Sequence, residues 1–335
     1  MSVSIRELAE KAGVSPGTVS HVLNGNTAAR IAPATQDRVR RAAEEMGYRP
    51  NRMARSLGRR RTDTIGLLIS GLKNPFFVEI METAERLAMN AGYSVQLDSA
   101  PSINGTFGGH SKLSGWPVDG AIMWGIGSEN IATYLEQQDS SIPVVYLGAA
   151  RSGATDWVSF DYFEGGRLAM EHLIGRGRRR IALVSPYAFG EDRHEEPRHA
   201  AYMDACRRTG QTPNVLLTDA EETRQAGLRI AERIAALPAG ERPDALFCHN
   251  DMIAIGVYCG LLRGGIRVPE DVAVVGFDGV VDGQFLERPL TTIRTSGEDL
   301  CRHAFDILSL RLRGDRETPP RQIVLPTELT IGGTS

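Results

Sequence analysis

Cysteine is scarce in this 335-residue chain, and long apolar runs are missing altogether. The four cysteines (Cys206, Cys248, Cys259 and Cys301) are scattered with no C-x-x-C pair. That spacing argues against a disulfide framework or a thiolate metal site and for reduced, buried thiols. No stretch approaches the ~20 apolar residues of a membrane span, and the polar, amphipathic first residues give no expectation of a signal peptide. Catalytic signatures are missing too: there is no G-x-S-x-G elbow, H-E-x-x-H pair or P-loop. Trp124-Gly125-Ile126-Gly127-Ser128 lacks the third glycine of a dinucleotide fingerprint. His110, His172, His194, His199, His249 and His303 share no ligand spacing. An enzyme is disfavoured, and neither metal nor cofactor is expected.

The net charge of −3 conceals an asymmetry. Through Arg61 there are twelve basic and five acidic residues, an excess of seven positive charges, so the remainder carries −10. A basic first segment on an acidic body points to a polyanionic partner for that segment alone.

Three short helices fit the basic segment. Ser4 caps the first, over 5–12, with Glu7 as capping-box partner, and Gly13 stops it. Ser15 caps the second, with Pro16 at the first position, where a missing N–H costs nothing. It runs to about Leu23, where Asn24-Gly25-Asn26 ends it. The third spans about 33–46. Val14, Val19 and Val22 face inward, while Ser15, Gly17, Thr18 and His21 lie on or near the outer side. This is the organisation of a helix-turn-helix, whose second helix enters a major groove N-terminal residues first. Residues 50–58 form at most a two-turn helix, marginal without a partner to hold it, and Arg59-Arg60-Arg61 follows.

From Thr64 the pattern alternates between short apolar strands and amphipathic helices. Strands fit 64–69, 94–98, 120–124, 144–147, 180–185, 244–247 and 272–277. Helices fit 75–90, 128–137, 163–174, 198–209, 224–235, 251–262 and 297–311. Such alternation implies parallel, doubly wound sheets, and the strand number implies two lobes. Residues 99–117 break the rhythm, rich in Gly and Ser where a helix is due.

With these segments in order, the chain resembles the lactose/galactose-repressor family of bacterial transcription regulators. The resemblance rests on VSIRELAEKAGVSPGTVSHVLNGN, the linker NRMARSL, TIGLLI and NPFFVEI. It continues through DYFEGGRLAMEHLIGRGRRRIALVS, PRHAAYMDA, LFCHNDMIAIGV, VPEDVAVVGFDG, RPLTTIR and LPTEL, nearly the whole chain. It implies an all-α headpiece (1–49), a hinge helix and basic linker (50–61), and an α/β core (62–335) resembling periplasmic binding proteins. The implied N-lobe covers about 62–160 and 293–322, and the C-lobe about 161–292 and 323–335.

The resemblance further implies a cytoplasmic homodimer on operator DNA, controlled by a small effector of carbohydrate type. DNA contacts would come from Ser4, Ser15, Pro16, Gly17, Thr18, His21, Asn24, Asn51, Ala54, Arg55 and Leu57. In the family the linker folds on DNA and a leucine, here Leu57, wedges into the minor groove. The effector would lie between the lobes against Phe76, Phe77, Trp124, Asp161, Arg198, Asn250 and Asp278. Aromatic faces suit the apolar side of a sugar ring, and carboxylates, an amide and a guanidinium suit its hydroxyls. Read without the resemblance, Phe76 and Phe77 fit a core, Asp161 and Asn250 fit helix caps, and Leu57 fits packing. Two departures stand out: His21 replaces the family's usual arginine, and Gly279 a commonly acidic residue. A periplasmic sugar-binding protein would share the core but would have no use for the basic headpiece.

Overall fold

The computed structural model describes residues 3–23, 30–48, 61–69, 72–98, 102–103, 106–107, 118–124, 142–148, 155–186, 196–315 and 317–335. The chain separates into two units, Met1–Thr62 and Asp63–Ser335.

In the first unit, helices α1 (Ile5–Ala12), α2 (Pro16–Leu23) and α3 (Pro33–Glu45) enclose a small core. Leu8, Val19 and Val39 are fully buried in it. The Ser4–Glu7 capping box is formed, and Gly13 closes α1 in the left-handed conformation. The amide of Thr18 donates to Ser15 Oγ at 3.1 Å, so Ser15 caps α2 as its position implied. Each buried aliphatic side chain stabilises by roughly 1.5–3 kcal/mol. A core this thin therefore leans on its caps.

The second unit holds two six-stranded sheets. The first runs β13 (Gln322–Leu325), β7 (Asp156–Phe160), β6 (Val144–Leu147), β5 (Gly120–Trp124), β1 (Thr64–Leu68), β2 (Ser94–Asp98), all parallel. The second runs β14 (Glu328–Thr330), β12 (Thr291–Arg294), β11 (Ala273–Asp278), β10 (Ala245–Cys248), β8 (Ile181–Ser185), β9 (Val215–Leu217). Only β14 in it is antiparallel. Continuous apolar strands such as Ile181–Ser185, buried at every residue, are what a sheet covered on both faces requires.

Helix α4 (Pro75–Asn90) packs with α9 (Gly297–Leu312) on the first sheet. Helices α5 (Tyr162–Gly175), α6 (Pro197–Thr209), α7 (Arg224–Ala235) and α8 (Asp251–Arg263) belong with the second. The chain crosses between sheets three times, at Asp161, at Thr295–Ser296 and at 326–327. The last crossing lies beyond the 322/323 boundary expected from sequence, because Ile323, Val324 and Leu325 pair with β7 in the first sheet.

Outside the stretch 99–117, five strands were not expected from sequence: β7, β9, β12, β13 and β14. Of the helix-free stretch 99–117, the described residues form β3 (Ser102–Ile103) and β4 (Thr106–Phe107), an antiparallel pair. The helix expected over 128–137 lies outside the described residues. Among the described residues no helix is long and apolar enough to cross a membrane.

Candidate functional site

The outer face of the headpiece carries the residues expected there. Ser4, Ser15, Pro16, Gly17 and His21 are exposed and Thr18 is half-buried, while Val19 and Val22 turn inward. Ser4 and Ser15 spend their hydroxyls on capping, which fixes the start of each helix and leaves Pro16 and Gly17 at the tip of α2. Asn24, Asn51, Ala54, Arg55 and Leu57 lie outside the described residues.

In the core, the carboxyl ends of the two sheets bring seven expected residues to the region of the crossovers. Phe76 and Phe77 open α4, and both are buried. Their rings meet edge to face, 5.4 Å between centroids, and Trp124 from the end of β5 stands 5.4 and 5.0 Å from them. Phe160 continues this cluster to Tyr162 across the first crossover, and Tyr162 stacks on Phe277. The result is a band of aromatic rings running from one lobe to the other.

Arg198, at the start of α6, lies against that band, its guanidinium 4.9 Å from the Tyr162 ring centre and 5.0 Å from that of Phe277. Nε donates to Glu196 Oε1 at 2.6 Å, and an Nη donates to the His249 carbonyl at 2.8 Å. A planar cation that stacks on rings while its N–H groups reach two separate acceptors suits arginine and not lysine. Burial opposes the Arg198 charge, but Glu196, Tyr162 and Asp278 outweigh it and hold the group protonated.

Asp278 ends β11 with φ of +116°, a conformation a side-chain-bearing residue rarely adopts. The neighbouring bonds impose it. Thr295 donates to its carbonyl from both N and Oγ1. The next two amides, of Gly279 and Val280, donate to Asp251 Oδ2 at 2.8 Å each. Asp251 is fully buried, and its other oxygen accepts from Thr292 Oγ1 at 2.6 Å. Burial, with the charge of Asp278, pushes the Asp251 carboxyl well above the usual range. Burial also pushes Asp278 up to about 7, against the pull of Asn74 and Arg198.

Two glycines are explained by this geometry. A Cβ on Gly276 would fall 2.0 Å from Asp251 Oδ1, and one on Gly279, at φ +79°, would press on the Arg294 backbone at 3.0 Å.

The capping alternatives also hold. Asp161 Oδ1 accepts from the amide of Glu164, and Asn250 Oδ1 from that of Ile253, both at 2.9 Å. Asn250 Nδ2 reaches Glu222 at 3.4 Å. Sequence reasoning missed Asn74, Tyr162, Glu196, Glu222 and Phe277. Each lies next to or near an expected residue or one of its bonding partners, but only the fold shows that it turns toward the same space. His199 and His249 are both buried beside Arg198. No cluster of three or more metal-ligating side chains occurs among the described residues.

Comparison with known proteins gives two family matches. Residues 4–51 match the bacterial regulatory proteins of the lacI family, and residues 170–335 match a periplasmic binding protein-like domain. The HTH-type transcriptional repressor PurR of Erwinia tasmaniensis is 33% identical over 328 residues, 97% of this chain and 94% of that protein. Among solved structures, the lac repressor dimer bound to operator and the anti-inducer ONPF superposes with a TM-score of 0.82 at 25% identity. That match covers 100% of this chain and 99% of the other. The transcriptional regulator CelR in complex with cellobiose superposes with a TM-score of 0.68 at 27% identity, over 99% and 100% of the two chains. By its identity to a full-length repressor, and by a fold shared from end to end with an operator-bound one, the chain belongs to the lacI family of bacterial regulatory proteins, and is a DNA-binding transcription regulator, not an enzyme.

Proposed function

We propose that the chain works as a cytoplasmic homodimeric repressor whose operator affinity is set by a carbohydrate held between the two core lobes. The observation that carries this reading is that Arg198 lies over the ring of Phe277, next in the chain to Asp278. Each charge influences the other's ionisation, and both adjoin the aromatic band. Phe76, Phe77 and Trp124 cover the apolar face of the ring, and Arg198, Asp278, Asp161 and Asn250 bond its hydroxyls. The cellobiose held by the similar regulator CelR supports this class of effector.

On the DNA side, the dimeric, operator-bound state of the similar lac repressor supports two headpieces reading half-sites of one operator. Ser15, Pro16, Gly17, Thr18 and His21 approach base edges, Ser4 and Asn24 stand beside them, and Asn51, Ala54, Arg55 and Leu57 belong to the hinge. Effector binding changes the angle between the lobes and so orders or melts the hinge. Coupling of ~1–3 kcal/mol suffices to change operator occupancy strongly.

The test pairs two measurements. A thermal-shift screen of sugars, sugar phosphates and nucleosides against the core identifies the effector. Selection from randomised duplex DNA identifies the operator. Removal of residues 1–60 should abolish operator binding and spare effector binding. If Arg198→Ala and Asp278→Ala remain folded and bind the effector like wild type, the assigned cleft is wrong.

A further inference from the structure

Asn74 makes two bonds that belong to different lobes. Its Oδ1 accepts from the amide of Phe76 at 3.1 Å and so caps α4. Its Nδ2 donates to Asp278 Oδ2 at 3.0 Å, although 204 positions separate the two residues. The amide is 7% exposed, and both of its ends are committed to protein. Few side chains can do this: an amide offers a donor and an acceptor on one rigid plane, whereas a carboxylate caps a helix but has no donor.

We propose that Asn74 is the cross-lobe positioning residue of the effector site, clamping Asp278 of the second sheet to the helix that carries Phe76 and Phe77 of the first. This rests on the effector reading of Asp278 given above. An effector hydroxyl that bonds Asp278 competes with the clamp, and the consequence is felt at the first turn of α4. The signal therefore passes through a hydrogen bond between protein groups of the two lobes.

The clamp is strongest while Asp278 is ionised, because a charged acceptor roughly doubles a hydrogen bond. The other groups facing Asp278 are Arg198, which favours its charge, and Glu222, which opposes it. Asp251 and Tyr162 are coupled to the same carboxylate, and Arg294 is its strand partner. With Asp278 brought to about 7 by burial, the clamp loosens as the pH falls below neutrality.

The test uses the full chain without effector and without DNA, so its outcome is independent of which ligand the cleft takes. The titration of the Asp278 carboxyl carbon is followed by NMR, with Asp278→Asn to assign the signal. Hydrogen exchange at the Phe76 amide is followed alongside. Asn74→Ala removes clamp and cap: the Asp278 midpoint should rise by about one unit, a tenfold change in proton affinity, and Phe76 should exchange faster. Asn74→Asp keeps the cap and puts a second carboxylate in place of the donor: the midpoint should rise further, through the added like charge, while Phe76 exchanges like wild type. An Asp278 midpoint that stays put in both variants would overturn the clamp and leave Asn74 a helix cap. Failure of the effector reading would instead appear only in the ligand titrations of Arg198 and Asp278 variants.

Discussion

Arg198 is held by Glu196 through a bond of 2.6 Å from Nε to Oε1 at the first turn of the same helix. The other oxygen of Glu196 accepts from the amide of His199 and caps that helix. One carboxylate thus fixes both the start of α6 and the plane of the guanidinium. Glu196→Ala should cost about 1 kcal/mol of stability through the cap and weaken effector binding roughly tenfold through the freed Arg198. Denaturation and calorimetry with the effector from the screen check the two effects separately. Arg198→Lys should weaken binding at least as much, since an ammonium cannot reproduce the stacked, forked geometry.

Gly276 and Asp251 are tied by space. Gly276→Ala places a methyl 2.0 Å from the carboxylate that holds the Gly279 and Val280 amides. Overpacking of a closed site combined with disruption of a buried hydrogen-bond network should destabilise the core by roughly 2–4 kcal/mol. Gly175→Ala, where a Cβ meets nothing within 4 Å, is the control and should be nearly neutral. Urea unfolding of the two variants makes the comparison.

Asp278 should leave a mark on the pH dependence of stability. Its folded value of about 7 lies above the ordinary carboxylate value, so between roughly pH 4 and 7 the folded state binds the proton more tightly than the unfolded chain. Stability contributed by this group therefore falls as pH rises through that window and is level above it. Asp278→Asn should remove the slope, on the order of 4 kcal/mol over the whole window, of which about 2–3 kcal/mol falls above pH 5. Thermal denaturation from pH 5 to 8.5 reads it directly, and parallel curves for the two proteins would contradict it.

Leu57, outside the described residues, carries the prediction for DNA. As a minor-groove wedge it must offset a few kcal/mol of unstacking, of which burying its side chain returns only ~1.5–3 kcal/mol. The balance falls to a base step that opens easily, and pyrimidine–purine steps do so. Leu57→Ala should weaken operator binding strongly, leave non-specific binding nearly unchanged and erase the preference at the operator centre. Competition between operators of altered centre tests this: the same rank order in both proteins returns Leu57 to a packing role.

The helices of the core were legible because their signals are local. Pro75, Thr223, Asn250 and Ser296 sit at or beside the helix starts, and caps act within one turn. The missed strands have no such signal. Thr291 and Thr292 are buried in β12 with their hydroxyls satisfied from Ser335, Gly332 and Asp251, so a polar pair reads as loop until those partners are known. β13 and β14 are short and part-exposed, and are ordered by the sheets they join. In the site, Arg198 and Asp278 were found through the family resemblance. Asn74 carries a visible signal for a cap, but nothing local shows that its other end reaches Asp278.

The three crossings have a consequence for synthesis. Neither lobe is continuous: the first sheet awaits residues 322–325 and the second residues 328–330. A growing chain can close the headpiece core once about fifty residues are free, since the buried residues from Leu8 to Ala43 are all present by then. The core must stay unfinished until nearly the whole chain has emerged. A chain interrupted in its last tenth would carry a reader of DNA with no working receiver, and what it bound it would bind without answering to the effector.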